Sequence, residues 1–254
     1  MIFLYMVGTA GAGKSSLTAA FYEWCLNQEF DAITVNLDPG VVKLPYSPDV
    51  DVREWVSLNE VMKDYNLGPN GAQVVCADMV ALNAKEVEER IKEFRTDYVL
   101  IDTPGQLELF VFRSTGRVIV NQLGMNHSLL AFMIDPSLAT TPTNFVSQLM
   151  LSAITQFRIG IPLVNILSKI DIVDKDALSM ITEWGKNPEK LYRDLMVKSP
   201  SMYYQLSEGM MAVIREMEAH TALIPTSNET LEGMEDLYTA IQNLFMGGED
   251  LEKE

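Results

Sequence analysis

The chain has 254 residues, of which 48% are apolar and 21% charged, enough to bury a sizeable core and too apolar for a disordered polymer. Its formal net charge of −16 argues against a wide nucleic-acid or anionic-membrane footprint, which takes clustered Lys and Arg. The two cysteines, Cys25 and Cys76, are too few for a disulfide framework or a thiolate metal site and fit a reducing compartment.

The opening "MIFLYMV" lacks a basic leader and a cleavage site and runs into a glycine-rich turn, so it reads as a buried strand. No run approaches the roughly 18 apolar residues of a membrane span, and a cytoplasmic protein is expected. Short apolar runs follow at 2–7, 32–37, 98–102, 128–135, 162–168 and 221–226, separated by helix-like segments. Near-continuous apolar strands alternating with helices predict a doubly wound α/β fold, its sheet mostly parallel and covered by helices on both faces. One domain is expected over 1–246, with a helical insertion before the last strand at about 187–219, and an acidic tail at 247–254. Helical spacing predicts that Leu17, Phe21, Trp24 and Cys25 share a core face, and that Val75, Met79 and Leu82 share another.

Directly after the first strand, "GTAGAGKSS" at 8–16 matches G-x-x-x-x-G-K-S. Gly8, Ala10, Gly11, Ala12 and Gly13 let the backbone wrap a polyphosphate closely, and the following helix offers free N–H groups there. Lys14 is expected to reach the β and γ phosphates, Ser15 to ligate Mg²⁺, and Ser16 to lie in the same cradle. "DTPGQ" at 102–106 ends the strand predicted at 98–102. Asp102 at that carboxyl end is placed to hold Mg²⁺, Gly105 to offer its N–H to the γ-phosphate, and Gln106 to orient water. Alone, this tetrad is often a strand-ending turn; after a phosphate loop at this spacing it points to a nucleotide switch.

"SKID" at 168–171 has the form of the guanine-reading N-K-x-D, with Ser168 in the first place. Asp171 is placed to accept hydrogen bonds from guanine N1–H and the exocyclic amine, and the stem of Lys169 to lie along the ring. Adenine cannot satisfy both oxygens. In "PTSN" at 225–228, the Ser227 N–H is a candidate donor to guanine O6. Ser168 removes an amide that usually braces neighbouring loops.

Between two helix-like segments lies "YNLGPNGAQ" at 65–73, where Pro presets φ and Gly and Asn tolerate a left-handed backbone, so a tight turn is expected. Together "GTAGAGKSS", "NLDPG", "LGPNGA", "DTPGQ" and "SKID" resemble, in order and over nearly the whole chain, the GPN-loop GTPases, named for the Gly68-Pro69-Asn70 triplet. This family is similar to the signal-recognition and MinD-like branch of P-loop proteins. The resemblance implies a homodimer in which Asn70 reaches the partner's phosphates, a rigid Pro69, an Asp38 that positions water or a metal-bound water, and a role in assembling RNA polymerase. Glu108 is placed to join that network or simply to begin a helix, Arg113 and Arg117 are unassigned candidates for an arginine finger, and His127 and His220 have no metal-ligand spacing. The expected activity is Mg²⁺-dependent hydrolysis of GTP to GDP and phosphate. A GTP-gated assembly factor with slow turnover and an ATP-using kinase of a small metabolite stay open as alternatives.

Overall fold

The structure is a computed structural model and describes residues 1–198, 204–216 and 223–245. Its sheet comprises β1 (Ile2–Gly8), β2 (Ala32–Asn36), β3 (Val50–Asp51), β4 (Tyr98–Asp102), β5 (Ser128–Ile134), β6 (Leu163–Leu167) and β7 (Leu223–Pro225). They lie in the order β3-β2-β4-β1-β5-β6-β7, and every pairing among the described residues is parallel. The expectation of a mostly parallel sheet is therefore met in full. The two-residue β3 has no counterpart among the predicted strands, because so short an element leaves no periodicity to detect. It is fixed by side chains instead: Asn36 donates to Asp51 at 2.9 Å, and Arg53 pairs with the same carboxylate at 2.5 Å.

Alternation along the strands divides the interior into two layers. Ile2, Leu4 and Met6 of β1 face one, with Leu17 and Phe21 of α1 (Lys14–Asn27) and Leu237 and Ile241 of α10 (Met234–Phe245). Phe3, Tyr5 and Val7 face the other, with side chains from α2 (Leu58–Asp64), α3 (Pro69–Leu82), α4 (Ala84–Ile91), α5 (Thr115–Leu123), α6 (Pro142–Ile159) and α7 (Lys175–Lys186). Helices thus cover both faces, as a fully buried parallel sheet requires. Between α7 and β7 lie α8 (Pro188–Lys198) and α9 (Tyr204–Glu216), and the Trp184 indole N–H ties α7 to α8 through Asp194 at 2.7 Å. The tail 247–254 and His220 lie outside the described residues.

The first predicted stripe holds at Leu17, Phe21 and Cys25, which are buried, while half-buried Trp24 stacks on Phe21 with ring centroids 5.6 Å apart. The second holds in part: half-buried Val75 and Met79 pack against the core, but the fully buried face of α3 is Ala72, Cys76, Ala77 and Val80, and Leu82 is 82% exposed. Small side chains let α3 pack closely against α2 and α5, whereas Leu82 sits at the exposed junction with α4. The GPN stretch is also not a tight turn. Gly68 is the N-cap of α3 in extended conformation (φ −73°, ψ 167°), and Pro69 occupies the first helical position, where its missing N–H costs nothing. The left-handed residue is Asn66, with φ 51°.

Candidate active site

The site forms at the carboxyl ends of β1, β4 and β2, where the strand order reverses direction around β1. The phosphate loop leaves β1 at Gly8, whose backbone passes so close to β5 that an added Cβ would stand 2.8 Å from the Met133 carbonyl oxygen. At the far end Gly13 adopts φ 98° and caps α1 with no side chain. By contrast, Asp174 caps α7 by accepting from the amides of Asp176 and Ala177. The first amides of α1 therefore have no side-chain cap among the described residues, and they and the positive end of the helix dipole face the loop, a ready anion site.

A cavity of about 320 Å³ opens there, walled by Gly11, Gly13, Lys14, Ser15, Ser16, Asp38, Gly105 and Lys169, together with Thr103. Lys14 is buried, its ammonium held by the carbonyls of Gly8 (3.0 Å), Thr9 (3.2 Å) and Gly105 (3.0 Å). Burial lowers its pKa, against the attraction of Asp102 and Asp38. Asp102, 2% exposed, is pushed up to about 6 by burial, although hydrogen bonds from Ser15 and Tyr46 and the charge of Lys14 pull the other way. The Tyr46 hydroxyl donates to Asp102 at 3.0 Å. Asp38 is braced on both sides: its N–H donates to Asn36 Oδ1 at 3.0 Å, while its carboxylate accepts from the amides of Gly40 (2.8 Å) and Gly105 (3.0 Å). The Gly105 amide, expected to serve a γ-phosphate, thus already has a carboxylate acceptor.

At the other end of the cavity Lys169 donates to the Gly11 carbonyl and to Asp135, both at 2.6 Å, tying the "SKID" turn to the phosphate loop. Lys169 sits in a left-handed conformation (φ 56°), one of the strained positions that cluster at functional sites. Asp171 is exposed, makes no side-chain hydrogen bond or ion pair with any described residue, and is not among the cavity walls. Ser168 is fully buried, and its hydroxyl donates to the Ile134 carbonyl at 3.2 Å. The Ser227 N–H, expected to serve guanine O6, instead donates to the Glu232 carbonyl at 3.1 Å.

The cavity does not include every candidate. Gln106 and Asn70 are exposed and absent from its walls, as are Gly68 and Pro69 at the start of α3. Glu108 is exposed at the start of a π-helical turn, Glu108–Phe112. Arg113 is paired with Asp78 of α3 at 2.6 Å, and it and exposed Arg117 line a separate surface pocket. Neither is an arginine finger toward this chain's own phosphates. His127 is exposed and stacks on Phe245 with ring centroids 6.4 Å apart. Tyr46, Thr103, Asp135 and Asn228 were not among the sequence candidates. Thr103 and Asn228 lie within "DTPGQ" and "PTSN", Asp135 carries an Asp-Pro at a strand end like that of "NLDPG", and Tyr46 carries no such signal.

A glycine-rich loop between strand and helix, a lysine among carbonyls and a carboxylate at the switch point define a P-loop nucleotide-binding protein. A family model described as "Conserved hypothetical ATP binding protein" matches residues 6–247. The GPN-loop GTPase PAB0955 of Pyrococcus abyssi is 32% identical over 94% of this chain and 95% of its own. Its crystal structure, titled a GTPase in apo form, superposes with a TM-score of 0.87 over 96% of this chain and 97% of that one. GPN-loop GTPase 1 of Dictyostelium discoideum is 27% identical over 94% of this chain, which spans 60% of that longer protein. The chain belongs to the GPN-loop GTPase family, and on that footing it is a GTP-hydrolysing enzyme.

Proposed function

We propose that this chain hydrolyses GTP to GDP and phosphate with Mg²⁺, as a homodimer in which the GPN bend of each copy completes its partner's triphosphate pocket. The observation that carries the phosphate half is the uncapped start of α1, with Lys14, Ser15 and Asp102 gathered at it. The trans half rests on the family resemblance and on an exposed Asn70 whose side chain makes no hydrogen bond with any described residue.

The donor set fits a magnesium ion. Ser15 and Asp102 are hard oxygen donors, with Ser15 near enough to lower the Asp102 pKa, and no group of three His, Cys, Asp or Glu suited to a metal occurs among the described residues. That suits a cation brought by the polyphosphate and held by one hydroxyl and one carboxylate. Bound there, it would neutralise charge on the phosphate oxygens.

Lys14 and the α1 amides offset the charge that grows on the transferred phosphoryl group. Asp38 or Gln106 orients the attacking water, and the partner's Asn70 adds a neutral donor without the desolvation cost of an ion. The nucleotide-linked dimer serves as a switch in a cytoplasmic assembly process such as that of RNA polymerase, a ligand-driven shift that needs different partner affinities in the GDP and GTP states.

Single-turnover hydrolysis and nucleotide binding by Asn70→Ala test the trans arrangement: hydrolysis should slow at least tenfold while GTP affinity stays within a few-fold. Unchanged turnover removes the loop's role. Competition of ATP against a bound GTP analogue tests the base, and an equal affinity for both would turn the reading toward an ATP-using enzyme. Equal capture of a polymerase subunit with GDP, GTP and a non-hydrolysable analogue would end the switch.

A further inference from the structure

The donor expected at guanine O6 is committed elsewhere, and the guanine-reading motif lacks its amide. The Ser227 N–H is committed to the Glu232 carbonyl. Ser168, standing where the guanine-reading motif has an amide, is short, and its hydroxyl is spent on the Ile134 carbonyl. A third group stands beside them. An ideal Cβ on Gly13 would lie 3.7 Å from Asn228 Nδ2 and equally far from Cε of Lys169, so the Asn228 carboxamide and the lysine stem converge above the same point of the phosphate loop. No described residue hydrogen-bonds to that carboxamide, and its Oδ1 is fully buried.

The side chain as a whole is half-buried, and its amide group Nδ2 is neither bonded to a described residue nor among the buried unpaired atoms, so its N–H donors stay open to a ligand. The loop that carries it is rigid. Ser227 Oγ accepts from the amides of Glu229 (3.3 Å) and Thr230 (3.2 Å), and the Thr226 carbonyl accepts from the Ile170 amide at 3.2 Å. The last of these bonds locks the loop to "SKID". Nδ2 as it stands, over Gly13 and beside the Lys169 stem, offers two N–H donors to whatever occupies the space.

We propose that the Asn228 side chain is the donor that reads the O6/N7 edge of guanine, supplying from the last loop the amide that Ser168 does not supply from the motif. The assignment rests on the GTPase reading of the site. Guanine offers two acceptors along this edge and adenine an acceptor beside a donor, so Asn228 works alongside Asp171, which faces the opposite edge.

The test measures binding of GTP, inosine triphosphate (no exocyclic amine), 6-thio-GTP (N1–H kept, a weak sulfur acceptor in place of O6), 7-deaza-GTP (no N7) and ATP. It compares wild type with Asn228→Ala and with the isosteric Asn228→Asp, which keeps the shape and cannot donate. Wild type should prefer GTP over ATP and lose about tenfold on replacement of O6 by sulfur or on removal of N7. In Asn228→Ala, GTP binding should weaken about tenfold and that penalty should disappear, while the inosine penalty stays as in wild type. Asn228→Asp should bind GTP more weakly still, since its carboxylate would face the base oxygen. Undiminished O6 and N7 penalties in both variants would overturn the assignment and give that edge to a backbone amide, leaving the GTPase reading intact. A wild type indifferent to base would overturn both.

Discussion

At the scale of single residues the proposed site is a competition among anions for few donors. Asp38 holds the Gly105 amide at 3.0 Å, the group expected to serve a γ-phosphate oxygen. Removing that carboxylate in Asp38→Ala should favour GTP over GDP by several-fold in equilibrium binding while lowering turnover by one to two orders of magnitude. A variant with unchanged GTP-to-GDP preference would show that the two anions do not compete. Asp102 gives a second prediction. Burial raises its pKa from 3.8 to about 6, so between these values the folded chain binds more protons than the unfolded one. Stability of the nucleotide-free protein should therefore fall as pH rises from about 4 to about 6 and level off above, by roughly 2–3 kcal/mol. Asp102→Asn lacks this loss, so its melting temperature should exceed that of wild type at pH 7.5 and approach it at pH 4.5, while its Mg²⁺-dependent turnover is abolished. Parallel melting curves across that range would contradict the burial argument.

At the scale of elements, α3 joins the core to the GPN bend. Its buried face is built of small residues, Ala72, Cys76, Ala77 and Val80, and one turn beyond the bend Gln73 reaches the Asp38 loop: its Nε2 lies 3.5 Å from an ideal Cβ on Gly40. The packing predicts that Val80→Ala destabilises the fold by about 1–2.5 kcal/mol, whereas Leu82→Ala, at 82% exposure, changes it by less than about 0.5. Chemical denaturation of both variants checks the assignment, and the reverse ranking would restore the stripe predicted from sequence. That stripe failed at Leu82, and missed the small residues, because Leu, Val and Met outweigh Ala and Cys in any hydrophobic pattern, whereas close packing of α3 against α2 and α5 selects small side chains. Gly68 likewise suggested a left-handed turn from its residue type, yet Pro69 supplies a ready first helical residue and the positive φ falls on Asn66.

At the scale of the whole molecule, the single-chain site has Lys14, Ser15, Asp38 and Gly105 in its walls but not Asn70 or Gln106. If two copies share the work, inactive chains should complement each other. Mixing Lys14→Ala, which lacks a working phosphate pocket but keeps its bend, with Asn70→Ala, which has the reverse defect, should restore hydrolysis toward half the wild-type rate per mixed dimer. Neither variant alone should do so. Failure to complement, with mixed dimers verified by mass, would place the loop's effect within one chain. Hydrolysis per subunit should also rise with protein concentration until the dimer saturates.

The sequence alone determined the α/β class, the central strands and the contiguous motifs, because short apolar runs and glycine spacing are local constraints on the backbone. "GTAGAGKSS" and "DTPGQ" meet in one cavity for that reason: parallel strands deliver their following loops to the same edge. Only the tertiary structure decided what depends on neighbours distant along the chain. The pairing of two-residue β3, the grip of Asp38 on Gly105, the Lys169–Asp135 bridge and the diversion of the Ser227 N–H to Glu232 each join groups that carry no joint pattern. Hydrogen bonds are short and directional, so which donor is left for a ligand is settled only after the fold has satisfied all the others.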